Sequence, residues 1–186
     1  MLLLVGLGNP GPENENNRHN IGFKIINAIN KKFGLTKQKP KFKGLLTTGI
    51  IEDKKIYAIK PLTFMNNSGI CIRELMEYFK IDSADVIVFH DDLDINIGKV
   101  TVKFGGSSAG HNGIESIDKF IGKDYSRVRI GIGRPKGKDM VADHVLDNFI
   151  DDEENSIAKL TKNIVEYLPE LIDKKLNLFS SKVNQS

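Results

Sequence analysis

Apolar positions along this chain fall into two periods, and the switches between them outline the fold. The opening run "MLLLVG" is continuously apolar and reads as a strand. Ile21, Ile25, Ala28, Ile29 and Phe33 then recur at helical spacing, so a first helix is expected from about Asn20, with Gly34 placed to end it. "LLTTGIIE" and "KIYAIK", joined at Asp53-Lys54, predict an antiparallel hairpin. Ser68 is placed to cap a second helix carrying Ile72, Leu75, Met76 and Phe79, and "DVIVFH" has the unbroken apolar character of a buried central strand ending at Asp91.

The second half continues the alternation. "KVTVKF" predicts a strand, "NGIESIDKFIG" a short helix with Ile114, Ile117 and Ile121 on one side, and "RVRIGIG" a further strand. Between Asp151 and Lys175, Ile157, Leu160, Ile164, Leu168 and Leu171 mark a long helix with four acidic residues in its first turn. Pro169 is expected to kink or split it, and the terminal "SSKVNQS" is expected to fray. Strands alternating with helices give an α/β fold, a single domain over residues 1–186 with a twisted mixed β-sheet flanked by helices.

Composition narrows the class without naming a function. At 186 residues and 40% hydrophobic, the chain fits one domain with a real core. Its one cysteine, Cys71, lies among apolar helix positions and reads as a buried thiol. The seven apolar residues at the start are too few for a signal peptide or a membrane span, so a cytoplasmic protein is expected. A net charge of +3 is too small to name a nucleic-acid partner, although its spatial distribution still matters.

Two familiar patterns are misleading. Gly6, Gly8 and Gly11 spell G-x-G-x-x-G after a strand, but Pro10 removes an amide a phosphate would need, and no acidic residue stands at the ribose position. Gly106 to Gly110 spells G-x-S-x-G around Ser108, yet the glycine-rich loop runs on through His111 and Gly113 where a nucleophile elbow requires a helix.

Chemistry is expected elsewhere, in "GNPG…RHN", "TFMNNSG", "HDDLD" and "GGSSAGHNG". Each lies at a strand end or in the loop after it, where ligands of open α/β sheets gather. Together they supply Asn9, His19, Asn66, Asp91 and Asn112: a base, an acid to orient it, and neutral amides. His19 at a helix start is disfavoured as imidazolium by the helix dipole, and an Asp91 partner would fix its tautomer. Amides offer a donor to an oxyanion and an acceptor to a peptide N–H, which suits ester or amide hydrolysis. His90 and His144 read as structural. The aspartates of "HDDLD" do not all point one way on an extended segment, so no metal site is expected.

Taken in order, "VGLGNPG" with "RHNIG", "TFMNNSG", "HDDLD", "GHNGI" and "RIGIGRP" resemble the bacterial peptidyl-tRNA hydrolases. The resemblance implies hydrolysis of the ester between a peptide and the terminal ribose of tRNA, with no metal or other cofactor. It makes His19 the catalytic base, Asp91 its partner and Asn9 a residue shaping the site. Met65 and Asn66 would hold the peptide, Asn112 and His111 would contact substrate or position water, and the enzyme is expected to be a monomer. Lys103, Arg134, Lys136 and Lys138 are candidates for tRNA phosphate contacts. Asn14 stands where the family commonly has tyrosine, and Glu115 where a basic residue is usual. A serine esterase using Ser108 and a catalytically silent RNA-binding relative are the competing readings.

Overall fold

The computed structural model describes residues 1–186. Its strands are β1 (Leu2–Gly6), β2 (Lys39–Lys41), β3 (Gly44–Ile51), β4 (Lys54–Pro61), β5 (Val86–Asp92), β6 (Val100–Phe104) and β7 (Ser126–Gly131). Its helices are α1 (Ile21–Phe33), α2 (Ser68–Phe79), α3 (Asn112–Ile121), α4 (Val141–Leu146), α5 (Asp151–Glu166), α6 (Leu168–Ile172) and α7 (Leu176–Gln185). The strands form one sheet in the order β2-β3-β4-β1-β5-β7-β6. The inner four run parallel and the outer pairings are antiparallel, as the mixed-sheet expectation required.

Both faces of the inner sheet are covered, which is why its strands read as continuous apolar runs. On one face Leu2, Leu4, Ile87 and Phe89 pack with α1, α5, α6 and α7; on the other, Leu3, Val5, Val86 and Val88 pack with α2 and α3. The chain leaves β1 toward β4 and returns past it to β5. The carboxyl ends of β1 and β5 therefore flank the point where strand order reverses.

The glycines at the end of β1 serve packing. A Cβ on Gly6 would lie 2.2 Å from the carbonyl oxygen of Gly22, and one on Gly22 would lie 2.3 Å from the Leu7 nitrogen. Two bare backbones thus let the first turn of α1 ride directly on the ends of β1 and β5, bringing the residues just before α1 over the sheet end.

Most predicted elements are present, with three corrections and one refinement. The hairpin turn is Glu52-Asp53, one residue earlier than expected. Ser68 is the first residue of α2 and its hydroxyl donates back to the Met65 carbonyl at 2.8 Å, so it does not cap the helix. The refinement concerns the long helix, which is split as Pro169 led one to expect, with the break at Tyr167 and Pro169 inside the first turn of α6. The C-terminus does not fray: α7 buries Phe179 and Val183, and the Asn184 side chain accepts from the Val100 nitrogen and donates to its carbonyl. Strand β2, three exposed residues, and helix α4, only six residues long, were not anticipated.

Phe179→Ala tests the packed terminus. Removing this fully buried ring should lower stability by about 3 kcal/mol or more, read by denaturant unfolding; a loss under about 0.5 kcal/mol would restore the frayed picture.

Candidate active site

β5 carries Asp91 to the sheet end, where the carboxylate is 2% exposed. One oxygen lies 2.8 Å from Nδ1 of His19, in the single turn Arg18–Asn20 ahead of α1. The other lies 2.8 Å from Nε2 of His111, the residue that caps α3. An ionised carboxylate only accepts, so both facing nitrogens carry protons. His111 Nδ1 in turn accepts the Ile114 N–H at 3.2 Å, which fixes its tautomer. His90 packs edge-on against the His111 ring and donates from Nδ1 to the Asp91 carbonyl at 2.8 Å.

The electrostatics follow from this bonding. Burial by itself opposes charge on Asp91, but the two histidines and their hydrogen bonds outweigh it and hold the carboxyl far below its ordinary value. At His19 burial opposes the imidazolium, while the Asp91 charge and hydrogen bond favour it more strongly, so the net shift is upward. The partner therefore outweighs the helix dipole that the sequence suggested would keep His19 neutral. His90 is pushed the other way, to about 3, first by burial and then by its histidine neighbour.

Asn9 sits beside this group on a stiff support. Asn20 accepts from the Asn9 nitrogen at 2.8 Å and donates to its carbonyl at 2.9 Å, clamping the backbone from both sides. The Asn9 side-chain oxygen accepts the Met65 N–H at 2.7 Å, leaving its amide NH₂ as the unused donor. Asn9, His19, Met65, Asn66, Asp91, His111 and Asn112 all line one cleft of about 750 Å³. The structure thus places these sequence-derived candidates in one cleft. Sequence reasoning missed the cleft's apolar wall, formed by Leu93, Val141, Ala142, Val145 and Leu146, and it missed Phe64, exposed on the cleft with φ 63°.

Arg18 was also overlooked. It is 7% exposed, donates to Glu153 at 2.8 Å and to the His144 carbonyl at 3.0 Å, and its own nitrogen donates to the Asp147 carbonyl. These bonds tie the turn bearing His19 to the segment that walls the cleft. Basic residues flanked by Asn and His in a polar run were the available signal; the distant partner was not readable.

Among the candidate phosphate contacts, Arg134 and Lys138 line the cleft, Lys103 lies on the edge strand β6 folded toward Gly106, and Lys136 is exposed nearby. Arg134 is held by Asp94 at 2.7 Å. Asn14 lines the cleft too, but it donates to the Pro10 carbonyl and accepts from Asn17, so it braces the loop where an aromatic is usual.

The acidic cluster diverges as expected: Asp91 faces the histidines, Asp92 faces Arg129 at 2.8 Å and Asp94 faces Arg134. His19, Asp91 and His111 do present ligand-type atoms within 4.8 Å of one another, a grouping the sequence did not reveal. Both nitrogens facing Asp91 already donate to it, so a cation would have to displace two buried hydrogen bonds. Ser108 is no nucleophile by geometry. Its hydroxyl meets Glu115 at 3.3 Å and no histidine, and His144 bonds instead to the carbonyls of Ile132 and Gly133.

Comparison with known proteins agrees with the geometry. The chain is 77% identical to a peptidyl-tRNA hydrolase of Pelagibacter ubique over 184 residues, 99% of each chain. It is 44% identical to that of Bartonella henselae over 186 residues, covering 100% of this chain and 96% of the relative. The crystal structure of peptidyl-tRNA hydrolase from Acinetobacter baumannii matches with a TM-score of 0.93 at 34% identity, over 99% of this chain and 94% of that one. The family model for peptidyl-tRNA hydrolase matches residues 3–186, and the chain belongs to that family.

Proposed function

We infer that this chain hydrolyses the ester joining the peptide to the terminal ribose of peptidyl-tRNA, releasing free tRNA and peptide, with His19 activating the water. The observation that carries the mechanism is the 2.8 Å bond from His19 Nδ1 to the buried Asp91. With that proton held, Nε2 carries the lone pair, and His19 lines the cleft. In the proposed reaction Nε2 takes a proton from water as its oxygen adds to the ester carbonyl carbon. The imidazolium so formed is stabilised by Asp91 and returns the proton to the ribose oxygen as the ester C–O bond breaks. The free amide of Asn9 is the donor for the oxyanion.

Asn66 and Asn112 are the exposed amides of the cleft and match the peptide's N–H and C=O groups, with Met65 and His111 beside them. The apolar wall accepts side chains of the peptide. Lys138 and Arg134, with Lys103 and Lys136 farther out, are proposed to meet the phosphates. The proposal takes the whole of residues 1–186 as one domain acting as a monomer in the cytoplasm; no helix is long and apolar enough to cross a membrane.

His19→Ala should reduce kcat by about 100-fold or more with little change in tRNA binding, whereas Ser108→Ala should keep most of the activity. Near-normal turnover in the first variant removes the base, and inactivity with covalent labelling of serine in the wild type would reinstate the esterase.

The pH dependence has a definite sign. His19 works as the neutral base and its pKa is raised, so kcat/KM should fall as pH drops through a midpoint above 6.5. In Asp91→Asn the favourable charge is gone while burial remains. The midpoint should then move below 6.5 and kcat should fall by roughly 100-fold. An unmoved midpoint would dissociate the pair from the rate.

Substrate choice tests the amide contacts. An N-acylated aminoacyl-tRNA presents a neutral amide, whereas a free amino acid presents ammonium, which repels the developing imidazolium and leaves amide-binding groups unpaired. The acylated substrate should be preferred by up to about 10⁴, and Asn66→Ala should lose part of that preference. Equal cleavage would indicate a general aminoacyl esterase, and binding without cleavage a silent RNA-binding protein.

A further inference from the structure

Charge is segregated along the chain in a way that the net value hides. Residues 16–51 contain eight Lys/Arg and no Asp or Glu, whereas the other 150 residues contain 19 Lys/Arg against 24 Asp/Glu. A segment of +8 is thus set in a remainder of −5. Four of the eight cations have local explanations: Arg18 pairs with Glu153, Lys24 lies over the Phe149 ring, and Lys31 and Lys32 stand in the last turn of α1, favoured by its dipole. The other four, Lys37, Lys39, Lys41 and Lys43, recur at alternate positions through β2 and are all exposed. Of these only Lys43 has a carboxylate partner, Glu74.

β2 is the free edge of the sheet, and lysines with Pro40 would already deter another strand from pairing there. Two observations exceed that role. Lys41 reaches over three rings, with its Nζ 5.1 Å from the centroid of Phe42, 4.8 Å from Tyr78 and 5.9 Å from Phe79, and Tyr78 is 63% exposed. Cations interleaved with an accessible aromatic face are the makings of a nucleic-acid contact. In addition, Phe42 and Lys43 form the turn into β3 at φ 55° and 59°, a left-handed geometry for which Asn-Gly is the unstrained choice. The turn displays a ring and a cation where neither is conformationally favoured.

Register sets where this strip points. Lys41 pairs with Gly44, and Gly44 with Pro61, the last residue of β4 before the loop that carries Phe64, Met65 and Asn66 into the cleft. The strip therefore rises to the cleft end of the sheet, three strands from β1, or roughly 14 Å away. It lies on the opposite edge from β6 and Lys103.

We propose that the Lys37–Lys43 strip is a second RNA-contact surface, binding backbone phosphates in the body of the substrate tRNA while the acylated end occupies the cleft. The proposal rests on the tRNA substrate proposed above. A polyanion long enough to reach from the cleft to this edge is what the charge pattern selects, and the tRNA part of that substrate is one.

The test uses Lys39→Gln/Lys41→Gln, which removes two charges and keeps the edge polar; neither side chain makes a hydrogen bond in the fold. Lys159→Gln, on the exposed side of α5, is the control. Two substrates are compared across a salt series: an N-acylated aminoacyl-tRNA and the same N-acylaminoacyl ester of adenosine alone. For the tRNA substrate the double variant should show KM raised about tenfold at low salt and the slope of log KM against log salt reduced by about 2, with kcat unchanged. Its constants for the adenosine ester, and those of Lys159→Gln for both, should match the wild type. An unchanged salt slope with an active wild type overturns the strip alone, as does self-association of the variant with tRNA kinetics intact or an equal change for both substrates. A wild type that cleaves neither ester overturns the hydrolase reading beneath it.

Discussion

A carboxylate buried as deeply as Asp91 has to be met by donors or be neutralised, and the architecture around the cleft is arranged to meet it. Its two oxygens draw His19 from the turn before α1 and His111 from the cap of α3, and its carbonyl takes the Nδ1 proton of His90. Three histidines thus surround one aspartate, but only one is free to accept a proton from water. His90 is wholly enclosed and held to about 3, and His111 already uses its second nitrogen for the Ile114 N–H. His19 keeps an uncommitted nitrogen on a residue of the cleft. The bonding pattern therefore supports His19 as the proposed base over its two chemically identical neighbours.

That bonding depends on backbone packing. Gly6 and Gly22 allow α1 to approach the sheet end so closely that any Cβ would collide. The same approach puts Asn20 against the backbone of Asn9, whose side chain then holds Met65. The turn bearing His19, the Asn9 amide and the loop bearing Met65 and Asn66 are consequently linked by direct hydrogen bonds through three separate stretches of chain. Arg18 extends the linkage to Glu153 and the cleft wall. These bonds fix the relative positions of the site's parts, and such positioning is what the proposed attack by water would draw on.

The legibility of the sequence followed from the range of the interactions. Strands and helices with one-face or two-face burial, such as β5 and α1, announced themselves by period, and the site residues by their repeated position at strand ends. Leu176, Phe179 and Val183 carried a helical spacing as well, yet the polar residues between them suggested a loose end until Phe179 met the α5–α6 face. The Asp91–His111 bond and the Arg18–Glu153 pair join residues 20 and 135 positions apart, and no local pattern encodes such partners. The apolar wall of the cleft was hidden for the same reason, because Val141, Val145 and Leu146 look like an undersized core segment until α4 is placed against the turn that carries His19. G-x-G-x-x-G misled in the opposite direction: its first glycine serves the helix–sheet crossing, a role that the motif's usual reading assigns to its third.

Electrostatics divides the two tasks of the enzyme in space. The arginines around the site are each paired with a carboxylate, Arg18 with Glu153, Arg129 with Asp92 and Arg134 with Asp94. In the proposed reaction an imidazole and a set of neutral amides face the ester, so charge created in the transition state would not be preceded by a fixed cation that binds the ground state equally well. Attraction for a polyanion is proposed to come from Arg134 and from the lysines on β6, after β7 and along β2. In this proposal binding and turnover fall to different residues. Salt should then act on association through the flanks, while pH acts on chemistry through His19 and its buried partner.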